Sequence, residues 1–449
     1  MNCNSRKCVI LSVSCMIFIL FISTSASASA ALTLNLERNF PLLNHRAINF
    51  TELRLRDSRR HARILKGNTN GAINFQVAGS FDPEIAGLYF AKVKLGSAAT
   101  EFSLQIDTGS SLTWVTCKSC DNCPKSTVLA IQLNSYDPTS SSTAALVPCS
   151  SHTCASLSQS GSNSCSVQGS QCTYRLEYED GSRTLGYYVY DRFAFNTIFK
   201  NSLTGSSFAS ILFGCSTHQD GELTFAKAAV DGILAFGPQD LSIVSQLSSQ
   251  GIAPKAFSHC FRGDGVGGGI LVLGQILEPS IIYTPLDLSQ SQYTLKMESI
   301  AVNGQSLPVD PAVFSTSTGQ GTLVDTGTTL AYLVPEAYQP FLNAITAAVT
   351  GLATPVQSPD NFCYHVLVIA SINVIFPRVS LKFSGGASLN LWPVDYLIHD
   401  YRVGGAMWCM GFQKAQDRFT ILGGLHIMID RDPFEKWEKI TFEFMAAFY

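Results

Sequence analysis

The chain has 449 residues, 46% hydrophobic and 14% charged, which is more than one ordinary core accommodates and suits two domains of comparable size. Its formal net charge of −3 conceals a split. Residues 31–75 hold eight basic groups (Arg38, Arg46, Arg54, Arg56, Arg59, Arg60, Arg63, Lys66) against Glu37, Glu52 and Asp57, a net of +5, whereas residues 76–449 keep 20 basic and 30 acidic groups, a net of −10 that argues against a nucleic-acid partner.

In chain order, Arg6 and Lys7 precede an apolar stretch of 14 residues from Val9 to Ile22 and a small-residue run ending Ala28-Ser29-Ala30. The stretch is shorter than the ~20 residues a spanning helix needs, so residues 1–30 are expected to be a secretory signal peptide. The basic segment 31–75 behind it is expected to be a pro-segment that lies on the acidic body and inhibits it until removed. Gly87 to Leu95 and Phe102 to Ile106 alternate as half-buried strands do, and β-type runs recur at Tyr174–Tyr178, Tyr187–Phe195, Ser210–Cys215, Ile270–Leu273, Tyr293–Val302 and Val379–Phe383. Helical patterning is confined mainly to Ser242–Ser249 and to Glu336–Val349 after Pro335. Many strands and few helices predict an all-β fold.

Loss of the signal peptide would remove Cys3, Cys8 and Cys15 and leave 11 of the 14 cysteines. Seven of them, Cys117, Cys120, Cys123, Cys149, Cys154, Cys165 and Cys172, crowd into 56 residues; Cys215, Cys260, Cys363 and Cys409 follow. On a secretory route this density reads as disulfides. Cys117-x-x-Cys120-x-x-Cys123 lacks a second CxxC or a His pair to complete a metal site, so no metal and no cofactor are expected. An odd count leaves at least one thiol without an internal partner. Gly263 to Gly268 fits GxGxxG, but strand-like Ile270–Leu273 follows it, which predicts a hairpin turn and no dinucleotide site.

The most informative feature is a repeat. Leu-Gln-Ile-Asp-Thr-Gly-Ser-Ser at 104–111 returns 218 positions later as Leu-Val-Asp-Thr-Gly-Thr-Thr at 323–329. Each copy is followed at a distance by two apolar residues and glycine, within Asp231–Gly237 and at Ile421-Leu422-Gly423. Asp107 to Gly237 is 130 residues and Asp325 to Gly423 is 98, and the 32-residue excess matches a Cys-rich insertion at 117–154. Two homologous β lobes follow, 76–280 and 281–449. If two such loops meet across a pseudo-two-fold axis, Asp107 and Asp325 face each other, share a proton and split their titrations. The ionised carboxylate then activates a water for attack on a peptide carbonyl, and the protonated one donates to the developing oxyanion.

With these motifs on about residues 85–425, the chain resembles the pepsin-like aspartic proteases, in particular their atypical, nucellin-like plant branch. The aspartic-protease dyad is a general example of split carboxylate titration. The resemblance implies a bilobal fold with a cleft, catalytic Asp107 and Asp325, interlocked Thr108 and Thr326, and Ser110 and Thr328 bonding the outer carboxylate oxygens, with Gly109 and Gly327 in the same loops. Tyr178-Glu179-Asp180-Gly181-Ser182 resembles the flap hairpin, with Tyr178, Gly181 and Ser182 covering substrate and Tyr178 paired with Trp114. Cys363 and Cys409 resemble the second lobe's disulfide. A monomer acting on protein or peptide substrates, extracellular or vacuolar, is the implied product.

The tail departs from the family pattern. Gly424 follows Ile421-Leu422-Gly423 where relatives carry Asp, and no cysteine follows Cys409, which is expected to orphan Cys215 or Cys260. His426–Asp430 and Trp437 are expected to imitate the missing strand and tryptophan. Residues 424–449 therefore form an atypical tail, and two readings stand: an acid endopeptidase, or a pepsin-fold binding or inhibitor protein without catalysis.

Overall fold

The computed structural model describes residues 72–79, 89–129, 131–158, 163–165, 170–198, 204–261, 268–274, 282–287, 289–316, 320–357, 361–367, 371–400, 407–424 and 442–445. The expected signal peptide, the expected pro-segment up to residue 71, His426–Asp430 and Trp437 lie outside these residues.

The first lobe is built on one large twisted sheet. Strand β1 (Ala72–Gly79) buries Ile73, Phe75 and Val77 on one face and exposes Gln76, as period-two alternation requires. It pairs antiparallel with three other strands of this sheet, so the lobe boundary expected after residue 75 falls inside a strand and belongs upstream of Ala72. Strands β2 (Tyr89–Leu95) and β3 (Thr100–Asp107) form a hairpin in register from Phe90↔Gln105 to Leu95↔Thr100. Strand β4 (Trp114–Asp121) leads into the Cys-rich insertion, and the short helix α1 (His152–Ser158) begins at its far end. Strands β5 (Cys172–Glu177), β6 (Arg183–Ile198) and β7 (Thr204–Asp220) continue the sheet, the last two as a hairpin paired from Arg183↔Asp220 to Ile198↔Thr204. Strand β8 (Gly232–Ala235) then slots between β3, to which it is parallel, and β4.

Helix α2 (Ile243–Ser249) starts one residue later than expected because Ser242 is its cap, its side chain accepting from Ser245 N. Strands β9 (Ala256–Phe261) and β10 (Gly269–Leu273) pair antiparallel with Phe261 opposite Gly269, so the glycine-rich stretch between them joins the two arms of a hairpin.

The second lobe repeats the central device with a smaller sheet. Strand β11 (Gly321–Asp325) runs parallel to β13 (Phe419–Gly423), and β12 (Ala331–Leu333) pairs with β13 beside them. Helix α3 (Pro335–Ala348) opens on proline, whose missing N–H costs nothing in a first turn. It packs Phe341 against Phe412 with ring centroids 5.0 Å apart. Strand β14 (Phe442–Met445), expected within the second lobe's tail, pairs instead with β9 of the first sheet.

Among the described residues, five disulfides link Cys117–Cys215, Cys120–Cys123, Cys149–Cys165, Cys154–Cys172 and Cys363–Cys409. Four of them staple the first lobe, where the insertion lacks long strands of its own. Cys215 is thus paired with Cys117, which removes it as one of the two alternatives for the thiol without a partner. Cys260 lies in β9, and its side chain is outside the described residues.

Candidate active site

Asp107 ends β3 and Asp325 ends β11, each where a parallel neighbour, β8 or β13, lies alongside. The chain leaves each strand there and turns back through an Asp-Thr-Gly loop. Gly109 N donates to Asp107 Oδ1 at 2.8 Å and Gly327 N to Asp325 Oδ1 at 2.9 Å. The second carboxylate oxygens accept from hydroxyls, Ser110 Oγ on Asp107 and Thr328 Oγ1 on Asp325, the latter at 2.6 Å.

The two loops meet. A Cβ placed on Gly109 would lie 2.6 Å from Asp325 Oδ1, and one on Gly327 would lie 2.6 Å from Asp107 Oδ1. Each glycine therefore exists because the other lobe's carboxylate needs its space. Behind them Thr108 Oγ1 donates to Val324 O and Thr326 Oγ1 to Ile106 O, both at 2.9 Å. Each threonine hydroxyl also accepts the other's backbone N–H, at 3.0 and 3.1 Å. Four buried hydrogen bonds thus lock the loops reciprocally.

The pair is not electrically symmetric. Asp107 is buried, 5% exposed, while Asp325 is partly exposed. Burial, with the Asp325 charge second, pushes Asp107 up to about 7 against the donors Ser110 and Gly109. The raised value keeps Asp107 protonated well above the ordinary carboxylate range.

Over Asp107 stands the hairpin joining β5 to β6. Tyr178 N donates to Ser182 O at 2.8 Å, and Gly181, at φ +81°, takes the left-handed position that L side chains rarely adopt. The Tyr178 hydroxyl accepts from Trp114 Nε1 at 2.7 Å. Burial first and Asp107 second raise the Tyr178 phenol well above its ordinary value, so it stays neutral. Ser182 differs from expectation. It is 1% exposed; its Oγ donates to Asp180 Oδ2 at 2.7 Å and accepts from Glu222 N at 3.1 Å. Its hydroxyl is buried and engaged within the hairpin and its neighbouring turn.

Sequence reasoning missed three supporting residues. Thr113 Oγ1 accepts from Ala235 N at 3.0 Å behind the first loop. Buried Asp231 accepts from Ser103 N at 2.7 Å and Asn134 N at 2.6 Å, tying the insertion to β3. Gln105 Nε2 reaches Gly327 O at 3.4 Å. Asp231 was visible beside the apolar-apolar-Gly motif, and Gln105 was visible as a polar residue where the second copy has Leu323.

Comparison with known proteins agrees with this geometry. Residues 89–275 match the family described as "Xylanase inhibitor N-terminal" and residues 292–431 the one described as "Xylanase inhibitor C-terminal". Aspartic proteinase 36 of Arabidopsis thaliana is 35% identical over 366 residues, 81% of this chain and 73% of that protein. The chain belongs to the plant pepsin-like aspartic proteinases. Another relative in this family, aspartic proteinase nepenthesin-2 of Nepenthes gracilis, is 30% identical over 331 residues, 70% of this chain and 67% of that protein. Two solved structures share the family's fold at 18% identity: basic 7S globulin from soybean (TM-score 0.60, 80% of this chain, 92% of that one) and conglutin gamma from lupine seeds (TM-score 0.61, 80% and 91%).

Proposed function

We propose that this aspartic-proteinase family member is an endopeptidase that cleaves extended protein or peptide substrates at acid pH, with Asp107 and Asp325 acting on a water held between them. The reading rests on one observation above all: each loop's glycine is fitted against the other loop's carboxylate. Burial favours Asp107 as the carrier of the shared proton, which it gives to the developing oxyanion, and leaves Asp325 as the base that activates water. Tyr178, held by Trp114, closes over the substrate and excludes solvent. A secretory route to an extracellular or vacuolar destination accords with the five disulfides. We place release of the basic pro-segment upstream of Ala72, because cutting at 75 would divide β1 from its partners.

The second reading, a binding or inhibitor protein on the same fold, draws support from the matched family descriptions. The deciding experiment is cleavage of an internally quenched peptide, apolar on both sides of the scissile bond, by the matured protein at pH 3–7 with and without pepstatin. Pepstatin-sensitive cleavage supports the endopeptidase; a folded, matured protein without cleavage supports the binder.

The burial of Asp107 also makes stability depend on pH. Its folded value of about 7 lies above the ordinary 3.8, so the folded protein holds this proton more tightly than the unfolded chain does. The resulting stabilisation is complete below about pH 4 and is lost as pH rises through about 7. Asp231, pushed by burial up to about 6, works in the same direction. The melting temperature is expected to fall between pH 4 and 7.5, and the fall to shrink in Asp107→Asn. A decline of equal size in that variant would refute the assignment.

A further inference from the structure

Every interlobe hydrogen bond made by the threonines has a mate related by the repeat; the bond made by Gln105 has none. Gln105 stands on β3 two residues before Asp107, and its Nε2 donates to Gly327 O, 222 residues away in sequence. The matching position before Asp325 is Leu323, buried and without a donor to return the bond. The two-fold relation of the interlobe hydrogen bonds is broken at this position, two residues before each aspartate.

Gly327 is where this bond can act on the reacting groups. Its N–H donates to Asp325 Oδ1 at 2.9 Å, and its α-carbon faces Asp107 Oδ1 so closely that a Cβ would stand 2.6 Å away. A pull on the Gly327 carbonyl from β3 draws the second loop toward the strand that carries the first aspartate. At 3.4 Å the bond is longer than the usual range of about 2.7–3.2 Å and correspondingly weak. Its leverage is on position more than on folding.

We propose, resting on the dyad reading above, that Gln105 is a positioning residue that holds the Asp325-Thr326-Gly327 loop against Asp107 and so sets the pH range over which the two carboxylates share one proton. The titratable groups facing Asp107 are Asp325 from the opposite loop and Tyr178 from the hairpin above. Tyr178 stays neutral throughout that range, so the spacing of the two carboxylates decides how far their titrations split. If the loop is released, the carboxylates separate, their repulsion weakens, and the upper titration moves to lower pH.

The test uses Gln105→Leu, which copies the second repeat, and Gln105→Asn, which stays polar but is one methylene too short to reach Gly327. Two readouts are taken on matured protein: kcat and KM against pH with a quenched peptide, and titration of ¹³C-labelled Asp carboxyls by NMR without substrate. Both variants are expected to lower kcat about 10-fold with KM changed less than about twofold. The alkaline limb and the upper carboxyl titration should move down by about 0.5 pH unit. An unmoved titration in a folded variant overturns the proposal, even if the melting temperature falls. So does an Asn variant that titrates like the unaltered protein while the Leu variant does not fold. If the unaltered protein cleaves nothing yet its carboxyl titration shifts in the variants, the positioning role stands and the hydrolytic reading falls.

Discussion

Asp325→Asn is expected to lower kcat/KM by roughly 10⁴-fold while leaving the protein folded. Asn is nearly isosteric with Asp, so the loop keeps its shape, but three things go. The amide cannot ionise to activate water, it cannot share a proton with Asp107, and its NH2 must face one of two donors, Gly327 N–H or Thr328 Oγ1. The same loss is expected for Asp107→Asn, whose carboxyl sits against the mirror-image donors. The two effects should not add, because a dyad acts as one unit. Each variant is assayed at its own optimum alongside a thermal melt. Residual activity above about 1% in both variants, with contaminating serine, cysteine and metalloproteases blocked by their own class inhibitors, would place the chemistry elsewhere.

The largest effect on stability is expected from the threonines behind the carboxylates. Thr108→Val keeps the volume but removes a donor to Val324 O and an acceptor for Thr326 N, and Thr326→Val does the reverse. Both sites are buried, so each change strands a backbone N–H and a carbonyl without water to replace the lost partner. About 2–4 kcal/mol per substitution is expected. The double variant should lose less than the sum, since the pair shares its bonds. Denaturant midpoints measure this directly, and kcat should fall with stability because the same bonds fix the spacing of Asp107 and Asp325. A loss under about 0.5 kcal/mol in both single variants would mean that packing alone joins the lobes.

Much of this was legible because the repeat is chemical as well as sequential. Asp-Thr-Gly twice, each copy after apolar strand residues, contained both carboxylates, both interlocking threonines and both glycines. The apolar-apolar-Gly echoes marked the strands β8 and β13 that lie beside them. A Cβ on Gly423 would meet Leu330 O at 2.0 Å, which is why that echo ends in glycine. Alternating burial located most strands, and capping residues located α2 and α3 within a residue or two. What stayed hidden depended on long-range pairing. Nothing local in Ala72–Gly79 says that it joins a sheet with strands from both ends of the lobe, and its basic upstream neighbourhood drew it into the pro-segment. Cys117 and Cys215 are 98 residues apart, and spacing cannot select that pairing from the alternatives. Ser182 looked available because a flap serine is polar; only its burial against Asp180 and Glu222 shows the hydroxyl is already engaged.

The pairing of β14 with β9 also bears on how the protein is made. Met445 lies opposite Ala256, a separation of 189 residues, so the strand that covers this side of the first sheet leaves the ribosome after the whole second lobe. At ~5–20 residues per second, β9 waits many seconds for that partner on a nascent chain. During that interval its unpaired N–H and C=O groups are open to the strands of neighbouring chains. The first lobe is therefore a natural client for chaperones during synthesis, and shortening the chain before Phe442 would make that exposure permanent.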